Sequence, residues 1–488
     1  MESARVPTMV STRKAKRAGG AASVSPATLA LSIPRWLMSK VMGRRDRASE
    51  SDQQMVEQQS PVFLFTNSLE QQQVEDELAI DIKEMIQDCG DGLLSPDCCI
   101  YRVPIVHRHL KEEAYTPKVV SIGPFHYRNE RLQDMERHKQ IFFKRFARRA
   151  MSSLDDLVRC VKHLEPKVRA SYSETINLSE EELVKLTLMD AGFIIELFIM
   201  AYKRDHGNDA ILTQLWLVSS ISQDLCLLEN QLPFFVIEEL FDRAFPDERR
   251  GSLPSFHKLT YKYFEYYHGT KLMPNIDVEV KHFTDLLRSL YLQGEMSAQQ
   301  LISVDGSHRL LYNANALQEA GIKLKASKSK CLLDMKFSGH ILEIPQFLVD
   351  DNTELVFRNM IALEECHYPC AAYITDYALV LDCLIDTQKD VDLLIHKKIV
   401  SNHVGGTNNV ALLFNGLLGN VNQLTFNSKY FDICQKLNAY CQDPWHELWA
   451  TLRHDYCRTP WQTVASIAAI ILIFLTVVQT IISILQVV

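Results

Sequence analysis

Between Trp461 and Val488 the chain contains no charged residue, and no Lys or Arg follows its apolar run from Val464 to Leu485. That run has no charged face, which argues against the alternative of an amphipathic helix in a soluble core. Catalytic signatures are missing as well: there is no Gly-x-Gly-x-x-Gly, phosphate loop, Gly-x-Ser-x-Gly or His-Glu-x-x-His. With them go the backbone cradle, elbow nucleophile and paired metal ligands that each chemistry requires. His403-Val404-Gly405-Gly406-Thr407-Asn408 lacks the spaced second glycine and the lysine of a phosphate loop, and His446-Glu447 has Ala450 where a second zinc ligand would stand. The 12 cysteines are scattered, and only Cys98-Cys99 and the pair Cys366 and Cys370 lie close together. Neither grouping has a partner pair at zinc-ribbon spacing, so free thiols are expected, with no metal and no other cofactor. Ala27 to Ile33 is interrupted by Thr28 and Ser32 and broken by Pro34 and Arg35, which is poor material for a signal-peptide core. No fixed period links the helical segments, which argues against a solenoid.

What the C-terminal run offers is length. A helix rises about 1.5 Å per residue, so roughly 20 residues cross a hydrocarbon core of about 30 Å. Thr463, Thr476, Thr480 and Ser483 can return their hydroxyls to the backbone, and Gln479 is the one bulky polar residue well inside the span. Arg453 and Arg458 stand just before it, so the positive-inside rule predicts a cytosolic body on a single-pass, tail-anchored helix of the plasma membrane or an endomembrane. Cys457 could carry palmitate or stay unmodified. Asn177-Leu178-Ser179 is the sole glycosylation sequon and matters only for a lumenal body.

Charge is distributed unevenly. Residues 1–50 hold ten Lys and Arg against three acids, a surplus of +7, which leaves −15 for the rest of a chain whose net charge is −8. Such an acidic body has no general attraction for nucleic acid. The head contains Arg13-Lys14-Ala15-Lys16-Arg17 and reads as a disordered basic tail over 1–68, with a transit peptide or a nuclear or anionic-lipid patch as alternatives.

The remainder, with 47 % apolar residues across the 488, can bury a large core. Helical spacing predicts helices over Leu69–Ile86, Leu132–Met151, Leu154–Val168, Glu180–Arg204, Ile211–Glu229, Pro233–Phe245, Phe256–Tyr267 and Val280–Leu292. Ser179 with Glu182 forms a capping box, and Pro233 suits a first helical turn. After Gly294 the pattern changes: Leu332 to Phe337 and His340 to Ile344 alternate around Ser338-Gly339 as a β-hairpin. Helices resume at Thr353–Glu365, Thr375–Thr387, Val391–Ile399, Asn409–Leu417 and Lys429–Arg453. The expected architecture is mainly α: a helical body over 69–458, divisible into lobes 69–293 and 294–458, a small β-hairpin, and a transmembrane helix over 461–485. His107-Arg108-His109 suits one face of a strand, and the tyrosines and phenylalanines between Tyr261 and Tyr267 suit packing.

Several stretches in order resemble the plant family known as domain of unknown function 247. They are Tyr101-Arg102-Val103-Pro104; Tyr115-Thr116-Pro117 leading to Val120-Ser121-Ile122-Gly123-Pro124-Phe125-His126; Met135-Glu136-Arg137-His138-Lys139; Met189-Asp190-Ala191-Gly192-Phe193; and Asp224-Leu225-Cys226-Leu227-Leu228-Glu229-Asn230-Gln231-Leu232-Pro233-Phe234-Phe235. Arg358-Asn359-Met360-Ile361-Ala362-Leu363-Glu364, Ile374-Thr375-Asp376-Tyr377 and the tail follow. The family usually has Asp-Gly-Cys-Phe where this chain has Asp190-Ala191-Gly192-Phe193. The resemblance implies a mostly helical, membrane-anchored plant protein with no established enzymatic activity, and some grass members are associated with pollen-side self-incompatibility.

The motif residues also have readings of their own. Gly123-Pro124 after an apolar strand makes a forced turn. Glu229, Asn230 and Gln231 lie at a helix-to-helix joint, where they can satisfy orphan backbone groups or read a ligand. Arg358, Asn359 and Glu364 on one helix suit a structural network, and Arg358 could pair with Asp376. His126, Asp190, Phe193 and Pro233 complete the candidate positions. The leading expectation is a non-enzymatic recognition or signalling protein that binds a protein or peptide partner. The rival is a membrane-tethered hydrolase or transferase with a site around His107, His126 or Asp190, and a third reading is a scaffold that oligomerises through Gln479, Ala465, Ala468 and Ala469.

Overall fold

The helices arise where apolar residues recur at three- and four-residue spacing, and their ends are set by local hydrogen-bonding groups. The computed structural model describes residues 79–80, 82–83, 94–204, 214–248, 250–268, 279–292, 301–303, 310–329, 331–419, 421, 425–444 and 460–487. The chain divides after Asp91, and every element named below belongs to the unit Gly92–Val488. The expected basic tail lies outside the described residues, as does the helix Leu69–Ile86 apart from 79–80 and 82–83, which are helical.

In order, the first half contains α1 (Ile105–Arg108), α2 (Gln133–Arg149), α3 (Leu154–Ala170), α4 (Glu180–Lys203), α5 (Leu215–Asp224), α6 (Phe234–Ala244), α7 (Phe256–Tyr263), α8 (Glu265–His268) and α9 (Phe283–Tyr291). At the centre is α4, against which α2, α3, α6 and α7 pack. It starts at the capping box: the Ser179 hydroxyl accepts from the Glu182 amide at 3.2 Å, and Glu182 accepts from the Ser179 amide at 3.1 Å. It stops at Arg204, whose φ of 53° is left-handed. From Ala191 to Met200 every residue is buried, so α4 has no solvent face there and functions as a core rod. Gly192 lets α2 approach closely: a Cβ at that position would stand 2.5 Å from the Phe143 ring. Phe198 lies among Phe256, Tyr263, Phe264 and Phe283, with ring centroids 4.2 to 6.0 Å away.

The second half contains β1 (Leu301–Ser303), α10 (Ala314–Glu319), β2 (Lys323–Ser327), β3 (Lys336–Ser338), β4 (Ile341–Pro345), β5 (Phe347–Val349), α11 (Thr353–His367), α12 (Tyr373–Leu384), α13 (Gln388–His396), β6 (Val400–Asn402), α14 (Thr407–Leu417), β7 (Thr425–Asn427), α15 (Ser428–Gln442) and α16 (Pro460–Val487). The hairpin forms, with β3 and β4 antiparallel around Gly339 at φ +61°. It begins later than the sequence predicts, because Leu333 and Met335 turn inward to the core instead of joining the strand. Three pairings were not expected: β2 parallel to β4, β5 parallel to β6, and β1 antiparallel to β7. Each joins short segments far apart in sequence, which leaves no local pattern to read.

Three other expectations change. The helix expected over Ile211–Glu229 ends at Asp224, because the carbonyls at its end are claimed by side chains of the following turn. His107 and Arg108 lie in the single turn α1, which follows Pro104, and not in a strand; the turn buries His107 and leaves His109 exposed. Pro233 is the N-cap of α6, one position before its first helical residue. The apolar helix α16 has 28 residues, with a membrane-length span from Val464 to Gln486, and none of that span is buried against the rest of the chain. Phe198→Ala should lower unfolding free energy by about 3–5 kcal/mol, with Phe198→Leu much milder, measured by urea unfolding followed by near-UV dichroism; a loss under 1 kcal/mol would show that α4 is not the centre of packing.

Candidate functional site

Residues 118–123 pass from the surface at Lys118 into the interior, outside any strand pairing. Their amides are taken by side chains instead. The Asp224 carboxylate accepts from Lys118, Val119 and Val120 at 2.7 to 2.9 Å. Asn230 Oδ1 accepts from Ile122 at 2.8 Å, and Asp190 accepts from Gly123 at 2.9 Å. Asn230 Nδ2 donates to the carbonyls of Val120 and Asp224, both at 3.0 Å, so one side chain pairs the C=O before and the N–H after Ser121 as a neighbouring strand would. Gly123 has φ +72°, and a Cβ there would stand 2.3 Å from the Gln231 carbonyl oxygen.

The turn from Leu225 to Pro233 is buried together with its polar groups. Gln231 Nε2 donates to the Leu225 and Leu227 carbonyls at 2.7 Å each, and its Oε1 accepts from the Phe283 amide at 2.9 Å. Orphan carbonyls after α5 are satisfied in this way, and α9 is tied to the same turn. Tyr172 donates to the Gln231 carbonyl at 2.9 Å. Glu229 is the charged member: it accepts from the Val103 amide at 2.7 Å, from Arg102 at 3.1 Å and from Arg108, while His126 Nε2 stands 3.3 Å from it. Burial would push its carboxyl up, but His126, the Val103 amide and Arg108 outweigh burial and hold it down at about 2. For Asp224, burial prevails over its three amides and lifts the carboxyl to about 6.

Behind Gly123, Asp190 meets Lys139 at 2.6 Å; the same ammonium donates to the Ser121 carbonyl at 2.9 Å and pairs with Glu136 at 2.6 Å. Burial opposes the Lys139 charge, yet Asp190 and Glu136 keep its pKa above the ordinary amine value. Phe193 is fully buried beside Phe142. Pro124 leads into Phe125, whose ring lies 4.2 Å beneath the Arg102 guanidinium.

On α11 the polar residues join separate segments. Asn359 accepts from the Leu228 amide at 2.9 Å and donates to Ala114 and Leu355 carbonyls at 2.8 Å. Glu364 accepts from Arg288 at 2.8 Å and from the Ile374 and Thr375 amides at 3.0 and 2.8 Å, so it caps α12 from a neighbouring helix. The expected Arg358–Asp376 pairing gives way to others: Arg358 binds Glu354 and the Gly416 carbonyl, both at 2.9 Å, and Asp376 accepts from the Asn427 amide at 2.9 Å. Asp376 sits in the first turn of α12, where it receives the Asn427 amide at the end of β7.

The chemistry available to these groups is mainly that of hydrogen-bond acceptors already engaged by backbone. Nucleophiles are suppressed: burial pushes the Cys99 and Cys366 thiols up to about 12, so they are thiols at neutral pH. Cavities of about 280, 500 and 640 Å³ are lined by residues other than His107, His126 and Asp190. Among the described residues no group of three or more His, Cys, Asp and Glu is placed to hold a metal ion. Tyr172 and Arg288 were not singled out in the sequence, and Arg102, Arg108, Lys139 and Asp224 stood within its motifs without a role of their own; the signal was a charge or hydroxyl beside an apolar run that ends in the core.

The model of a plant family of unknown function, DUF247, matches residues 100–475. The chain belongs to the DUF247 family. It is similar to the UPF0481 protein At3g47200 of Arabidopsis thaliana, with 31 % identity over 417 residues, 80 % of this chain and 87 % of the relative. A putative UPF0481 protein of the same plant, At3g02645, is 22 % identical over 478 residues, 78 % of this chain and 89 % of the relative. No solved structure matches. For this DUF247 protein the motif geometry makes two quantitative expectations. Gly123→Ala should cost about 2–4 kcal/mol, from left-handed strain and collision with the Gln231 carbonyl, read as a fall in melting temperature; a neutral result would mean that the turn is not fixed. Glu229 has a folded pKa of about 2 against an ordinary 4.5, so its contribution is complete above pH 4.5 and is lost as pH falls toward 2. That contribution is about 3 kcal/mol, and Glu229→Gln should flatten melting temperature against pH across this window; an unchanged acid limb would assign the lability to other carboxylates.

Proposed function

We propose that this DUF247 protein is a membrane-anchored, non-enzymatic recognition protein whose helical body offers its surface to a protein or peptide partner. The observation that carries the reading is the engagement of the motif's polar side chains: Asp190, Asp224, Glu229, Asn230, Gln231, Asn359 and Glu364 each bind backbone amides or carbonyls. Groups occupied in this way hold segments together and are not poised for proton transfer to a substrate. Recognition then falls to exposed residues, and the C-terminal apolar helix supplies the attachment. The body faces the cytosol in this reading, because Arg453 and Arg458 precede the span. A narrower form of the same reading is a pollen-side self-incompatibility determinant, in which alleles differ at exposed positions over one shared interior.

Orientation is tested with an N-terminally tagged full-length protein in sealed microsomes. Protease digestion of the body with no glycan on Asn177 is the expected result; protection with a glycan would place the body in the lumen and overturn a cytosolic partner. Recognition is tested by exchanging exposed residues between alleles. Specificity should follow those residues, whereas interior changes such as Glu229→Gln should lower abundance without changing specificity. Transfer of specificity by interior residues would sink the reading.

A further inference from the structure

The α16 span holds polar groups that nothing among the described residues satisfies. Ala465, Ala469, Leu472, Thr476, Gln479, Ser483 and Gln486 follow one another along it in alternating steps of four and three. That is a 3.5-residue period, the repeat by which two helices keep one seam in contact over a left-handed crossing. Six of the seven residues are small or polar. Apart from Ser466, Ala468 and Thr480, every other position from 466 to 485 is Ile, Leu, Val or Phe. The seam is therefore a distinct face on an otherwise lipid-compatible helix.

Hydrogen bonding within the seam is divided. Thr476 donates to the Leu472 carbonyl and Thr480 to the Thr476 carbonyl, both at 2.8 Å, so these hydroxyls are satisfied by their own helix. Gln479 and Ser483 have no hydrogen-bond partner among the described residues. A glutamine carboxamide carries two donor hydrogens and an acceptor oxygen, and at this depth in a bilayer it is as far from water as a core side chain. It cannot reach its own backbone as a threonine does. It is also its own complement, since the N–H of one carboxamide donates to the oxygen of an identical one at the same depth. Two copies of this chain inserted in the same direction bring those groups level, and Ala465 and Ala469, nearer the N-terminal end of the span, let the backbones approach there.

We propose that α16 is a self-association element as well as an anchor: two copies of this chain pair in parallel along the Ala465 to Gln486 seam, with Gln479 bonded to Gln479 setting the register. The pairing rests on the reading of α16 as a bilayer span. It would give the recognition protein two bodies side by side on one membrane face, and a partner with two identical epitopes would bind such a pair with gained avidity.

The test co-expresses two full-length copies with different tags in plant microsomes, washes the membranes with alkaline carbonate, solubilises them gently and captures one tag. Wild-type copies should resist carbonate and be captured together. Gln479→Leu should reduce co-capture about three- to tenfold, as expected for loss of one interhelical hydrogen bond; being more apolar, this variant keeps the helix suited to the bilayer. Ala469→Ile, which fills the seam, should act in the same direction. Gln479→Asn should retain part of the pairing, and Ile481→Ala on the opposite face should leave it unchanged. Equal co-capture of the Gln479→Leu and Ala469→Ile variants would overturn the seam and assign pairing to the bodies. Carbonate-resistant wild-type protein that is never co-captured would overturn self-association while leaving the anchor intact. Release by carbonate would overturn the bilayer reading and the pairing with it.

Discussion

The segment 118–123 enters the interior without a strand beside it, and its backbone is held by Asp224, Asn230 and Asp190. A buried amide without a partner costs roughly 1–3 kcal/mol, so leaving the amides of Val120, Ile122 and Gly123 unpaired in the interior, with those of Lys118 and Val119 at its edge, would remove much of a domain's net stability. Three side chains from α4, α5 and the turn after it answer all five. Position follows from that arrangement: α4 must present Asp190, α5 must end at Asp224, and the turn must bring Asn230 level with Val120 and Ile122. Gln231 then closes the turn onto α9, and Asn359 brings α11 against Leu228.

Charge in the interior is arranged so that no buried carboxylate lacks a donor in this network. Glu229 is met by two guanidinium groups and an amide, Glu364 by Arg288 and the start of α12, and Asp190 by Lys139. Networks of this kind contribute little net stability compared with apolar packing, but removing one member strands the others and costs far more than the pair is worth. Their effect is to specify which segments meet. That matters in a fold whose short parallel strand pairs supply little registration of their own.

The dense polar motif of this chain follows the needs of its backbone. Acidic, amide and basic residues converge because irregular backbone needs acceptors and donors that regular structure would provide for itself. The Cys98-Cys99 and Cys366 thiols lie in the same region, and burial keeps Cys99 and Cys366 protonated. What remains outward-facing is the helical surface, on a body that ends in an apolar helix of membrane length.

By itself the sequence determined the mainly helical class, the capped start of α4, the length and apolar character of α16, the hairpin at Gly339 and the motif residues that crowd the joint between α5 and α6. These are local properties: helical period, capping spacing and hydrophobic length are written within a few turns of chain. Only the tertiary structure decided that Asp224 receives three amides from residues more than a hundred positions earlier, that Lys139 lies behind Gly123, and that Arg358 turns to Gly416 and not to Asp376. It also decided the parallel pairs of β2 with β4 and β5 with β6, and the end of α5 at Asp224. The reason is common to all: a hydrogen bond is indifferent to how far apart its partners stand in the chain, whereas a pattern read along the chain registers only neighbours.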